Sequence, residues 1–199
     1  MKKLFIVLLF IPFVSFGQTV ADYVKSGFAK FELKDYYGAI SDYTKSIELN
    51  PNENDLYNFR GNAKFKLKDY YGAISDYTKS IELDPNDKYT YTDRGDAKFE
   101  LKDYYGAISD YTKAIELDPN ENDLYSLRGD AKFKLKDYYG AISDYTKAIE
   151  LDPNDKYAYT DRGLSKYNLR NLNGACADWK KAAELGSKDA AKWVAKDCN

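Results

Sequence analysis

The chain has 199 residues, a formal net charge of −2 and 31% charged residues, whose signs interleave along its length. That is a solvated surface, without the broad positive field that nucleic acid requires. There is no His, the commonest general base and metal ligand near neutral pH, whereas 20 Tyr lift the aromatic fraction to 16%, too high for a disordered chain.

The first predicted element is a signal peptide over residues 1–17. Lys2 and Lys3 precede an apolar run from Leu4 to Val14, and Ser15 and Gly17 form a small-x-small cleavage pattern. The run is shorter than the ~20 apolar residues of a spanning helix. Cleavage before Gln18 implies an exported protein, periplasmic or secreted, with no stable membrane insertion afterwards. No Cys lies near the cut to carry a lipid.

A 34-residue repeat follows. "DYYGAISDYTKSIEL" stands at Asp35–Leu49 and again at Asp69–Leu83, and it returns with one Ser replaced by Ala at Asp103–Leu117 and Asp137–Leu151. The period divides the chain into five units, 20–53, 54–87, 88–121, 122–155 and 156–189. Pro51, Pro85, Pro119 and Pro153 occupy one place in the unit and end a helix there, and the Asn/Asp-rich run after each offers caps to the next. Between two such stops the pattern predicts a first helix from about Leu56 to Leu67 and a second from about Tyr71 to Leu83. The turn is at Lys68 and Asp69, and Ala73, Tyr77, Ser80 and Ile81 form one face. Such a hairpin has no core of its own, so stacking must bury one. A longer period is also present. Units two and four differ only at Asn58/Ser126, Phe59/Leu127, Asn62/Asp130 and Ser80/Ala148, as if a pair had been duplicated. After Gly186 and Ser187, residues 190–199 read as a capping helix with Ala190, Ala191, Trp193 and Val194 on its dry side.

These residues resemble the tetratricopeptide repeat family. Its signature positions 4, 8, 20, 24, 27 and 32 are filled in the third unit by Tyr91, Gly95, Ala107, Tyr111, Ala114 and Pro119. The resemblance implies an all-α, right-handed superhelical solenoid of five helical hairpins plus a C-terminal cap. Two positions depart from the family pattern. Position 7, usually apolar, holds Arg60, Arg94, Arg128 and Arg162, and position 11, often aromatic, holds Lys30, Lys64, Lys98, Lys132 and Lys166. The Arg residues are expected to pair with an Asp at position 23. Because the first unit has Ser26 instead of Arg, pairing between units is favoured: Asp42–Arg60, Asp76–Arg94, Asp110–Arg128 and Asp144–Arg162.

The resemblance also implies an inner groove lined by positions 2, 5, 9, 12 and 13. Position 12 supplies an aromatic column, Phe31, Phe65, Phe99, Phe133 and Tyr167, with Asn58, Asn62, Thr92, Asp96, Ser126 and Asp130 beside it at positions 5 and 9. An apolar column with small polar neighbours suits a peptide or a helix of a protein partner, though the rings are equally suited to packing within the repeat. Family members that clamp a C-terminal carboxylate use Lys and Arg at positions 5 and 9, and none occurs there.

No constellation supports catalysis, a cofactor or a metal. "DPNEND" at Asp118–Asp123 alternates oxygen ligands as a calcium loop does, but Asp123 and Gly129 stand where Gly and Glu are needed. Each carboxylate pair recurs from unit to unit, so none marks a unique active site. The expected function is a non-catalytic interaction scaffold, and the alternative is a structural part of an envelope assembly that leaves the groove empty. Cys176 and Cys198 form no CxxC motif. They lie at nearly equal distances either side of the Gly186–Ser187 turn, so two antiparallel helices would set them side by side for a disulfide.

Overall fold

A computed structural model describes residues 19–198; the expected signal peptide, residues 1–17, lies outside the described residues. The eleven described helices follow in chain order: α1 (Val20–Glu32), α2 (Tyr36–Leu49), α3 (Asn54–Lys66), α4 (Tyr70–Leu83), α5 (Lys88–Glu100), α6 (Tyr104–Leu117), α7 (Asn122–Lys134), α8 (Tyr138–Leu151), α9 (Lys156–Asn168), α10 (Leu172–Glu184) and α11 (Lys188–Asp197). Each helix packs chiefly against its neighbours in sequence, so five hairpins stack in a row and α11 closes the end. This is an all-α solenoid. The element bounds agree with the sequence reading to within two residues at each end.

The hairpin turn is built the same way five times. Lys34, Lys68, Lys102, Lys136 and Arg170 adopt a left-handed backbone, with φ between 61° and 63°. The strain is held because the next residue's N–H reaches back into the first helix, as in Asp69 to the Lys64 carbonyl at 3.0 Å. The Asp that follows caps the second helix: Asp35, Asp69, Asp103 and Asp137 each accept from a Gly N–H on the third helical residue, at 2.9–3.0 Å. The expected caps after the Pro stops form at Asp87 and Asp155, whereas Glu53 and Glu121 make no side-chain cap.

In the core, Ala39, Ala73, Ala107, Ala141 and Ala175 are fully buried, and beside them lie Tyr43, Tyr77, Tyr111, Tyr145 and Trp179. Each of these rings packs closely against a glycine of the first helix. A Cβ on Gly95 would stand 2.6 Å from Tyr111 Cε1, and one on Gly163 would stand 2.4 Å from Trp179 Nε1. No larger residue permits that approach without moving the ring.

The Arg–Asp pairs form, but in the other register. Arg60 grips Asp76 of its own hairpin through Nε at 2.9 Å and Nη2 at 2.7 Å, and the pattern recurs in Arg94–Asp110, Arg128–Asp144 and Arg162–Asp178. The between-unit pairs Asp42–Arg60, Asp76–Arg94, Asp110–Arg128 and Asp144–Arg162 are therefore incorrect. Antiparallel packing inside a hairpin sets position 7 opposite position 23, and what the Arg sends to the preceding hairpin is its Nη1, to Thr44, Thr78, Thr112 or Thr146 at 3.1–3.2 Å. The Lys at position 11 completes the site, with Lys64, Lys98, Lys132 and Lys166 each 2.7 Å from the same Asp. The first hairpin has Ser26 instead of Arg and keeps Asp42 with Lys30 as its ion-pair partner, at 2.6 Å, beside a hydrogen bond from Ser26. Both departures from the family pattern thus serve one buried carboxylate, which accepts a bidentate guanidinium and an ammonium together.

At the C-terminal end Trp193 of α11 packs on Trp179, ring centroids 5.1 Å apart. Cys176 and Cys198 are joined by a disulfide with a Cα–Cα distance of 5.6 Å. The bridge ties the end of the cap to α10 and shortens the free chain of the unfolded state.

Candidate functional site: a row of aromatic slots

The first helices α1, α3, α5, α7 and α9 form one face of the array. Along it run three cavities that follow one another at the repeat period. The first is lined by Phe31, Asn62, Phe65, Lys66, Tyr77, Asp93 and Asp96. The second is lined by Phe65, Asp96, Phe99, Glu100, Tyr111, Leu127 and Asp130. The third is lined by Phe99, Asp130, Phe133, Lys134, Tyr145, Asp161 and Leu164. Every residue of one slot is the 34-residue counterpart of a residue in the next. Each slot spans three hairpins, has a Phe on either side and a buried Tyr below, and their volumes are about 290, 250 and 390 Å³. Phe65, Phe99, Asp96 and Asp130 are each shared by two slots, so the row is continuous.

The Phe rings do two things at once. Each packs edge-on against the first Tyr of its own second helix, as Phe65 does on Tyr70 at 5.3 Å and Phe99 on Tyr104 at 5.2 Å. Their remaining surface walls the slots. The rings of the aromatic column therefore both pack within their hairpins and line the slots.

The slot floors are acidic and partly dry. Tyr111 donates its hydroxyl to Asp96 and Tyr145 to Asp130, both at 2.7 Å. Tyr77 makes the same bond to Asn62. Desolvation raises the pKa values of Asp96 and Asp130, and the tyrosine bonds offset part of that. Asp93 is pushed up to about 6, chiefly by burial and then by the nearby Asp96 and Asp87, against the pull of the Asn58 amide. Asp161 is pushed up to about 7, by burial first and then by Asp130 and Asp155.

Seven of the residues expected to line the groove meet in these slots: Phe31, Asn62, Phe65, Asp96, Phe99, Asp130 and Phe133. The other four lie apart. Asn58 sits between hairpins and donates to Thr90 and Asp93 at 3.0 and 3.1 Å. Thr92 turns its hydroxyl to the Lys88 carbonyl of its own helix. The buried Ser126 hydroxyl has no partner. Tyr167 leans on Trp179 beyond the third slot. The sequence reading missed Asp93 and Asp161, at repeat position 6. Positions 6, 9 and 13 are spaced three and four apart and therefore share a helix face, which was the available signal. Among the described residues no cluster of His, Cys, Asp or Glu could hold a metal ion.

The stacked hairpins and the lined groove define a helical-repeat solenoid of the kind that presents an extended face to other proteins. The chain belongs to the tetratricopeptide repeat family: profiles described as tetratricopeptide repeat match residues 23–53, 55–87 and 123–155, and one described as TPR repeat matches 95–136. No curated protein sequence matches it. Among solved structures, the MamA protein is 27% identical with a TM-score of 0.81, covering 88% of this chain and 96% of its own. MamA from Desulfovibrio magneticus RS-1, residues 41 to the end, is 21% identical with a TM-score of 0.81, covering 87% and 98%. YrrB, described as a TPR protein with an unusual peptide-binding site, is 18% identical with a TM-score of 0.77, covering 89% and 92%.

Proposed function

We propose that this protein is a non-catalytic interaction scaffold that holds a peptide or an extended segment of a protein partner along the face of its first helices. The observation that carries the reading is the continuous row of three aromatic-walled slots, each built from three successive hairpins. A row of like pockets at constant spacing suits a chain molecule better than a single small ligand. YrrB illustrates that this fold can carry a peptide-binding site. The reading includes export to the periplasm or beyond. The basic-then-apolar segment at the start of the chain supports it, and so does the disulfide, which persists in oxidising compartments.

The test is a pull-down from the native envelope with the chain from Gln18 onward, beside the variant Phe65→Ala/Phe99→Ala/Phe133→Ala. Loss of the captured partner with unchanged helical circular dichroism supports the groove. Equal capture by a folded triple variant moves binding to another surface.

A further inference from the structure

The slots carry a charge pattern that says what kind of segment would fit. Taken together they present five carboxylates, from Asp93, Asp96, Glu100, Asp130 and Asp161, against two ammonium groups, from Lys66 and Lys134. The middle slot has Asp96, Glu100 and Asp130 and no cation at all. The Arg and most of the Lys at positions 7 and 11 of these helices cannot balance it, because they are already spent on Asp76, Asp110, Asp144 and Asp178. We propose that the partner is a basic segment, which lays the stems of Lys or Arg side chains between the Phe rings and sets their cationic heads on the carboxylates, with the middle slot as the principal seat.

The proposal rests on the groove reading and names the partner's chemistry. A long aliphatic stem ending in a cation matches a slot with apolar walls and an acidic floor. A cation beside a Phe face gains from the ring quadrupole, more so away from water. The carboxylates gain as well. Asp161 has no side-chain hydrogen-bond donor among the described residues, and an arriving guanidinium would supply one. A cation also favours the charged forms of Asp93, which faces Asp96, Asp87, Asn58, Asn62 and Tyr77, and of Asp161, which faces Asp130, Asp155, Lys134 and Tyr145, and so opposes the burial that raises both pKa values. Binding therefore releases protons, and affinity should rise from pH 5 to pH 8 as these two groups ionise. A partner with an acidic tail is disfavoured by the same charges.

The experiment uses fluorescein-labelled peptides of about ten residues, which extend to roughly 33 Å, one alternating Arg with Leu, one Gln with Leu and one Glu with Leu. Binding is read by fluorescence anisotropy at low ionic strength. The main variant is Asp96→Asn/Asp130→Asn. Asn is already at home there, since Asn62 occupies the equivalent place and accepts the Tyr77 hydroxyl. The comparator Glu116→Gln/Glu150→Gln removes the same two charges from the second helices α6 and α8. We expect the Arg peptide to bind the native chain, to lose at least about tenfold on Asp96→Asn/Asp130→Asn, and to be unchanged on the comparator; tenfold is about 1.4 kcal/mol. Equal losses on both variants would reduce the attraction to net charge and overturn the proposal, as would no binding of the Arg peptide. If the Gln or Glu peptide binds as well and needs Phe65 and Phe99, the cation idea falls and the groove stands. If no peptide responds to Phe65→Ala/Phe99→Ala, the groove reading falls too.

Discussion

The junction between the second and third hairpins and the junction between the fourth and fifth are near-copies, 68 residues apart, yet they satisfy their buried groups differently. In the first copy a polar chain crosses the junction. Tyr77 donates to Asn62, Asn62 to Asn58, and Asn58 to both Thr90 and Asp93, while Thr90 also lies 3.4 Å from Ser80. In the second copy Ser126 replaces Asn58, Ala158 replaces Thr90 and Ala148 replaces Ser80. Ala148 and Ala158 join an apolar cluster with Tyr125 and Ile149, the Ser126 hydroxyl is left without a partner, and Asp161 lacks the amide that Asp93 keeps. The second junction has fewer polar side-chain contacts, and its carboxylate, without an amide donor and beside Asp130, is pushed up to about 7, against about 6 for Asp93. A duplicated backbone thus kept its packing, while a few substitutions changed how costly a buried charge is.

The largest effect should be the same in both copies. Arg60→Ala and Arg128→Ala each strip a bidentate partner from an almost fully buried Asp, leaving Asp76 and Asp144 with one Lys apiece. Each should cost about 3 kcal/mol, the penalty for a half-paired buried charge, as read by urea denaturation. Because the two networks match closely in their distances, the two losses should agree within ~0.5 kcal/mol. A gap above ~1 kcal/mol would show that the surrounding junction, and not the hairpin, sets the strength of the network.

The carboxylates at position 6 should separate the copies. The folded state holds Asp161's proton up to about pH 7, whereas an unfolded Asp releases it near the ordinary value of 3.8. Between those limits the folded state binds more protons, so stability falls as pH rises through the window and the loss is complete above it. Asp161→Asn removes a charge that burial opposes. It should stabilise the chain by about 1–2 kcal/mol at pH 8, and the gain should shrink towards pH 4. Asp93→Asn should gain less, because the Asn58 amide already offsets part of the cost of that charge and the bond to a neutral Asn oxygen is weaker. Thermal melts of the two variants across this range would check the order; equal gains would mean that the Asn58 amide contributes nothing.

Much of this was legible in the sequence, for local reasons. The hairpins follow from Pro stops and helical spacing, the turn from Lys-Asp, and the disulfide from two helices of nearly equal length about Gly186. The register of the Arg pairs was not legible. In a near-perfect repeat, a pairing inside a unit and one between units join the same residue types, sixteen residues apart in one direction or eighteen in the other. Only the packed hairpin distinguishes them, and there Arg60 reaches Asp76 and not Asp42. Two carboxylates of the slots, Asp93 and Asp161, were missed for a different reason. The groove positions came from family likeness, whereas Asp93 and Asp161 stand at a position that is apolar in alternate units, as Phe59 and Leu127.

The smallest effect is the most direct trial of the comparison. Ser126→Asn with Ala158→Thr rebuilds the first junction inside the second. The new amide would find Asp161 and the introduced threonine hydroxyl where Asn58 finds Asp93 and Thr90, at 3.1 and 3.0 Å. A donor to the ionised carboxylate favours its charged form, so the pKa of Asp161 should fall towards the value near 6 of Asp93. The stability gain at pH 8 should be about 0.5–1 kcal/mol, one net hydrogen bond less the apolar packing that Ala158 provides in its cluster. The reverse change, Asn58→Ser, should drive Asp93 upwards towards Asp161. Carboxyl carbon titrations by NMR read both shifts directly. If the transplant leaves Asp161 where it was, the difference between the copies does not come from the Asn58 amide, and the closeness of Asp130 becomes its cause. The first junction has Asn62 in place of Asp130, and there the like charge on the position-6 carboxylate comes from Asp96, where the second junction has Leu164, so each copy sets one neighbouring carboxylate against it and the amide is what differs.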